Sequence, residues 1–192
     1  MLKILAFSGS ARKDSYNQRL VKIAATGAEK AGAEVTVINL VDFDMPIFNQ
    51  DLEQAEGMPK PARAFKELLI AHDGFLIASP EYNSAFSPLL KNAIDWASRK
   101  EGDEAPLLAY RGKAAMLMSA SPGVLGGLRG LVFLRMLLGN IGVTVLPNQQ
   151  AVPRADKAFH PDGRLLDEQL QAKVVNLGAE LAMFVEKLKN GS

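Results

Sequence analysis

The sequence predicts an α/β fold, a doubly wound five-stranded parallel sheet in three layers, α/β/α. Three observations carry that expectation. Five short apolar runs, at residues 3–8, 34–40, 74–79, 113–120 and 142–146, are mostly apolar on both faces, as strands covered on both sides of a parallel sheet are. Helix-length amphipathic segments separate them, and repeated strand–helix alternation builds a parallel sheet through right-handed crossovers. A chain of 192 residues, 48% hydrophobic and 22% charged, fits one such domain over residues 1–192, with no internal repeat or low-complexity linker.

The first strand, 3–8, breaks off into the polar stretch Gly9–Asn17 before helical periodicity begins. The first helix, 17–31, sets Leu20, Ile23, Ala24 and Ala28 on one side, with Gly32 where a C-terminal glycine belongs. The second strand leads into residues 41–59, rich in acids and prolines and without periodicity, which reads as a long loop. A helix over 61–72 carries Phe65, Leu68 and Leu69 together. Pro80 ends the third strand, and Ser87 followed by Pro88 is a good cap and first turn for a helix reaching Ala97. A fourth helix covers 125–138. After the fifth strand and a non-periodic stretch at 151–163, the last helix, 165–188, steps Leu166, Leu170, Val174, Leu177, Leu181, Phe184 and Leu188 by fours and threes.

Composition closes off several kinds of chemistry. The chain has no cysteine, which removes disulfides, thiolate metal sites and cysteine nucleophiles together. A formal net charge of +1 offers no concentrated positive surface, so neither nucleic acid nor a membrane is an expected partner. The stretch MLKILAF enters the first strand directly, without a secretory leader, and LVFLRMLL is interrupted by Arg135 and too short to span a bilayer; the expected location is the cytoplasm. Neither a G-x-x-x-x-G-K-[ST] nor a G-x-G-x-x-G phosphate loop occurs, nor a G-x-S-x-G elbow. The two histidines, His72 and His160, have no nucleophile or second ligand nearby in sequence, and the acids show no metal spacing. No residue is assigned a catalytic role and no metal is expected, so the chemistry belongs to a bound cofactor.

Three loops follow the first, third and fourth strands and so open on one edge of the sheet, where open α/β folds bind ligands. The first, GSARKDSYN, offers Gly9, the hydroxyls of Ser10 and Ser15, the Arg12 guanidinium and Asn17 at a helix start. Helix N-termini favour anions; taken alone, the same composition equally suits a turn that only caps its helix. The second, SPEYNSAF, sets Pro80, Glu81, Tyr82 and Asn83 side by side, a set suited to a flat heteroaromatic, although a packing Tyr82 and a solvated Glu81 fit as well. The third, SASPGVLGG, supplies Ser119, Ser121 and Gly123, small enough for close backbone approach to something planar.

Two motifs, G-S-x-R-x-x-S-x-N at Gly9–Asn17 and P-E-Y-N with the following L-K-N-A-I-D-W at 80–96, resemble the NAD(P)H-dependent FMN reductases of flavodoxin-like fold, a family that includes quinone, chromate and azo-dye reductases. The resemblance spans residues 3–185. It implies non-covalent FMN, bound in part by Gly9, with its phosphate among Ser10, Arg12, Ser15 and Asn17. The isoalloxazine would be bordered by Pro80, Glu81, Tyr82 and Asn83 on one edge and by Ser119, Ser121 and Gly123 on the other. It also implies NAD(P)H as co-substrate, a small-molecule electron acceptor, and a homodimer or homotetramer. The residues add one expectation of their own: the helix from Ser87 shows apolar residues on two faces, and the 125–138 helix has only Arg129 and Arg135 as charges. A sheet covers one face, so the second would need another copy of the chain, unless Trp96 on it belongs to the chain's own core.

Overall fold

The computed structural model describes residues 1–191. Five parallel strands, β1 (Lys3–Ser8), β2 (Glu34–Asn39), β3 (Gly74–Ala78), β6 (Ala114–Ala120) and β7 (Thr144–Val152), form one sheet in the order β2-β1-β3-β6-β7. A two-stranded hairpin, β4 (Glu81–Tyr82) and β5 (Ala85–Phe86), stands apart from it. Chain order reverses direction between β1 and β3, paired with Ile4 opposite Gly74, so the crevice beyond their carboxyl ends is the position where such sheets bind ligands.

Alternate side chains of the strands enter two cores. Ile4, Ala6, Leu76, Met116 and Met118 face α1 (Tyr16–Lys30) and α6 (Glu168–Asn190). Leu5, Phe7, Phe75, Ile77 and Leu117 face α3 (Lys60–Ala71), α4 (Pro88–Ala97) and α5 (Leu128–Asn140). This is the three-layer arrangement expected of strands apolar on both sides. Helices α1 and α6 cross with backbones in contact. A Cβ on Gly27 would lie 1.8 Å from the Val175 carbonyl oxygen, and one on Gly178 would lie 1.8 Å from that of Ala24.

The strands and five long helices lie where the sequence places them, with boundary shifts of a few residues. Three details differ. Residues 41–59 contain α2 (Gln50–Glu56), capped by Asn49 and burying nothing, so it leaves no apolar period to read. The last strand continues to Val152 past a register shift opposite Ala115 and Leu117. Arg135 donates to the Val145 and Leu146 carbonyl oxygens at 3.1 and 2.7 Å and to Gln149 Oε1 at 3.0 Å, satisfying acceptors that the ladder releases around Pro147. The third concerns α4. Its second apolar face is covered by its own chain: Trp96 is fully buried against Met58 and Ala62, and its Nε1 donates to the Pro46 carbonyl at 2.8 Å. That face needs no second copy. The exposed apolar surface lies instead on and before α5, at Val124, Leu125, Leu128, Val132, Phe133 and Met136.

Candidate functional site

The carboxyl ends of β1, β3 and β6 open on a cleft of about 100 Å³ lined by Ser10, Arg12, Ser15, Tyr16, Asn17, Pro80, Glu81, Tyr82, Ala120, Ser121 and Pro122. All three loops singled out in the sequence meet there. Larger cavities exist, including one of about 370 Å³ at the opposite sheet edge. There Lys113 donates to the Ile70 and His72 carbonyls that end α3, a structural explanation that the cleft lacks.

In the first loop the chain folds on itself. The Ser10 N–H donates to Ser8 Oγ at 3.1 Å, and Ser10 Oγ accepts from the Arg12 N–H at 3.3 Å. Ser15 caps α1 by accepting from the Gln18 N–H at 3.1 Å. The next two amides, of Tyr16 and Asn17, make no hydrogen bond among the described residues, and they sit where a helix start is electropositive. The Arg12 guanidinium carbon lies 5.3 Å from the Tyr16 ring centre, and Tyr16 stacks on Phe159 at 5.9 Å and 11°. The result is a cationic, hydroxyl-lined, donor-rich pocket that fits a phosphate dianion.

Two residues of this loop have tasks the sequence does not reveal. Gly9 is a glycine because of α4: a Cβ there would sit 2.8 Å from Ser87 Oγ and 2.9 Å from Leu90 Cβ. Ser87 Oγ also donates to the Gly9 carbonyl. The glycine thus permits a close approach of backbone to helix. Asn17 lines the cleft but is 3% exposed. Its Nδ2 donates to the Ala120 carbonyl and its Oδ1 accepts from the Ala120 N–H, both at 2.9 Å.

The second loop is the hairpin. Tyr82 pairs with Ala85 across Asn83 and Ser84, whose φ angles are 50° and 69°, the geometry of a two-residue primed turn that favours Asn first. Asn83 is thus a turn residue and does not line the cleft. Tyr82 is 46% exposed on the rim. Glu81 turns inward, its side chain 7% exposed. Oε1 accepts from Arg129 Nε and Nη2 at 2.9 and 2.6 Å, and Oε2 accepts from the Gly130 N–H at 3.1 Å. Gly127 precedes α5 without a side-chain cap, so Glu81 caps that helix from 48 residues away. Burial opposes ionisation of Glu81, but the Gly130 N–H and Arg129 outweigh it and hold the carboxyl below its ordinary value.

In the third loop Ser121 lines the cleft, its Oγ accepting from the Gly123 N–H at 3.2 Å. Gly123 itself is exposed and does not line the cleft; its carbonyl accepts from the Gly126 and Arg154 N–H groups. Ser119 does not reach the cleft. It is fully buried, its Oγ has no partner among the described residues, and it lies where a Cβ on Gly127 would fall. The sequence reading overlooked Tyr16, Ala120, Pro122 and Arg129. Tyr16 falls within the first motif and Ala120 and Pro122 within the third loop, so of these Arg129 alone carried no local signal.

Nothing in the cleft is arranged as an acid–base pair. Glu81 is ion-paired, and His72 is held between the Leu68 carbonyl at 2.6 Å and Thr36 Oγ1 at 2.8 Å. No group of three His, Asp or Glu side chains suited to a metal occurs among the described residues.

Comparison with known proteins agrees with this geometry. The sequence model of the family described as NADPH-dependent FMN reductase matches residues 2–157. An NAD(P)H-dependent FMN reductase of Pseudomonas aeruginosa is 33% identical over 98% of this chain and 97% of its own. A quinone reductase of Escherichia coli is 30% identical over 98% and 97%. The solved structure of FerB, a flavoenzyme NAD(P)H:(acceptor) oxidoreductase from Paracoccus denitrificans, superposes with a TM-score of 0.81 at 28% identity, covering 97% of this chain and 98% of that one.

Proposed function

Since the chain belongs to the NADPH-dependent FMN reductase family, we propose that the cleft beyond β1, β3 and β6 holds FMN non-covalently and opens one flavin face to NAD(P)H and then to a small-molecule acceptor. The observation that carries this reading is the donor set at the start of α1. The amides of Tyr16 and Asn17 have no partner among the described residues, and Ser10, Arg12 and Ser15 stand beside them. A phosphate there would receive helix-terminal amides, hydroxyls and one guanidinium.

When bound, FMN would supply hydride-transfer chemistry between NAD(P)H and a small acceptor such as a quinone, azo compound, metal oxyanion or free flavin. The chain supplies position. Pro80, Tyr82 and Ser121, which line the cleft, would border the ring, and backbone N–H groups near Tyr82 would stabilise negative charge on it. Asn17 and Glu81 act through other groups: Asn17 ties the start of α1 to β6, and Glu81 ties the hairpin to α5. No side-chain acid or base is required.

The exposed apolar face of α5 adjoins the hairpin through Glu81 and Gly130. A second copy of the chain covering it would build a homodimer, or a tetramer by further pairing, with the flavin sites beside the contact. No described helix is long and apolar enough to cross a membrane, and the charge balance suits neither nucleic acid nor an anionic lipid surface; we place the protein in the cytoplasm.

The test is an absorbance spectrum of the purified protein, then NADPH added without oxygen. Flavin bands that bleach within seconds are the expected result. A flavin that stays oxidised would replace the reductase by a carrier or sensor, and a protein that cannot be loaded with FMN would refute the cleft assignment.

A further inference from the structure

We propose that a groove on α1, next to the flavin cleft, reads the adenosine 2′-phosphate of NADPH. The proposal rests on the reductase reading above and adds a site to it. Arg19, Lys22, Ile23 and Thr26 of α1 face Pro161 and Arg164 across a groove of about 430 Å³, a size typical of small-ligand sites. The groove adjoins the cleft: Tyr16 lines the cleft, Arg19 lies one turn further along the same helix face, and Phe159, stacked on Tyr16, leads into the loop that forms the far wall.

That wall is built rather than loose. Phe159 bridges to Leu165, the His160 N–H donates to the Arg164 carbonyl at 2.8 Å, and the Gly163 N–H donates to the His160 carbonyl at 3.0 Å. Its own acid is already engaged: Asp162 accepts from the Arg164 N–H at 3.1 Å and from Arg164 Nε at 2.9 Å. Arg164 keeps its terminal N–H groups, and Arg19 and Lys22 make no ion pair among the described residues. Three cations against one paired carboxylate leave the groove positive in a chain whose net charge is only +1.

Pro161, exposed beside those cations, adds apolar surface, so the groove offers a flat base a contact and a phosphate monoester a fork. An arginine beside the ribose is how dinucleotide sites accommodate a 2′-phosphate. A nucleotide with its nicotinamide over the flavin and its adenosine laid along α1 would pass Arg12 and end among Arg19, Lys22 and Arg164. The groove therefore favours NADPH over NADH.

The experiment uses the FMN-loaded protein and two fragments without nicotinamide, adenosine 2′,5′-bisphosphate and adenosine 5′-monophosphate, titrated calorimetrically. The bisphosphate should bind about tenfold or more tightly than the monophosphate. Arg19→Gln, Lys22→Gln and Arg164→Gln should each lower that ratio by roughly three- to tenfold, and the double change at Arg19 and Arg164 should erase it. FMN affinity and thermal stability should stay unchanged. The kcat/KM preference for NADPH over NADH should fall in parallel. Equal fragment affinities, or a preference untouched by the substitutions, would overturn the groove while leaving flavin reduction intact. Selective bisphosphate binding by a protein whose flavin NADPH does not reduce would uphold the groove and overturn the reductase reading.

Discussion

Asn17 and Ala120 exchange two hydrogen bonds of 2.9 Å, each residue giving one donor and one acceptor. The pair joins the first turn of α1 to the last residue of β6 and closes the floor between two of the three site loops. Asn17→Ala would leave the Ala120 N–H and C=O without their only side-chain partner in a buried setting. The expected cost is about 2–4 kcal/mol, read as a lower urea midpoint in the flavin-free protein. An unchanged midpoint would mean that water replaces the amide without loss.

Arg12 is predicted to matter only once an anion is present, because its guanidinium is otherwise exposed above Tyr16. Arg12→Ala should leave flavin-free stability within about 0.5 kcal/mol. It should weaken FMN binding by about 1.5–3 kcal/mol, since the flavin would itself cover the charge pair. Fluorimetric titration measures the second quantity and thermal unfolding the first.

Glu81 carries a pH dependence whose sign is fixed. Its folded-state carboxyl ionises more readily than an unfolded glutamate. The ionised side chain therefore contributes stability that is fully present above the ordinary carboxylate range and is lost as pH falls through the lowered folded value. Glu81→Gln keeps an acceptor for the Gly130 N–H but loses the charge opposite Arg129. The stability gap between wild type and variant should be open at neutral pH and should narrow as pH falls from the ordinary carboxylate range through the lowered folded value. A gap constant with pH would show that the charge contributes nothing.

Gly178 and Gly139 make opposite predictions from the same substitution. A methyl group at Gly178 meets the Ala24 carbonyl oxygen at 1.8 Å, whereas one at Gly139 meets nothing within 4 Å. Gly178→Ala should destabilise by about 3 kcal/mol or more as the helices are forced apart. Gly139→Ala, near the end of α5, should stabilise by up to about 1 kcal/mol. Thermal unfolding of both decides whether the contact between α1 and α6 is as tight as described.

Val132 is 59% exposed at the middle of the apolar face of α5. If a second copy covers that face, Val132→Glu would bury an unpaired charge at the contact and should weaken self-association at least about tenfold. Sedimentation velocity over a concentration series measures it. A wild-type protein that is monomeric throughout would refute the assigned surface.

The strands were legible because burial on both faces writes an unbroken apolar run, and β1 spans the same residues in sequence and structure. What stayed hidden was of two kinds. Short elements that bury little, such as α2 and the hairpin, leave no period to detect. Long-range partners leave no trace at all: the sequence marks Glu81 as unusual, but nothing in it points to Arg129. The three motif loops meet at one edge of the sheet, and several of their residues also have structural tasks there that the sequence does not reveal. Asn83 takes a positive φ in the turn, Gly9 admits the approach of α4, and Ser119 is fully buried outside the cleft lining. Side-chain parity along a strand ending is settled by register, and the small residues around Ser119 do not declare it.

The likeness to the family model stops at residue 157, eleven residues before α6 begins. Yet Val174, Leu177, Leu181, Ala182 and Val185 complete the core against which α1 rests, and the two helices touch backbone to backbone. The edge of the family model and the edge of the smallest piece able to hold its shape are therefore different places on this chain. A fragment trimmed to the matched region would retain every side chain of the cleft, but the rod presenting its anion-facing amides would have lost the rail it is clamped to.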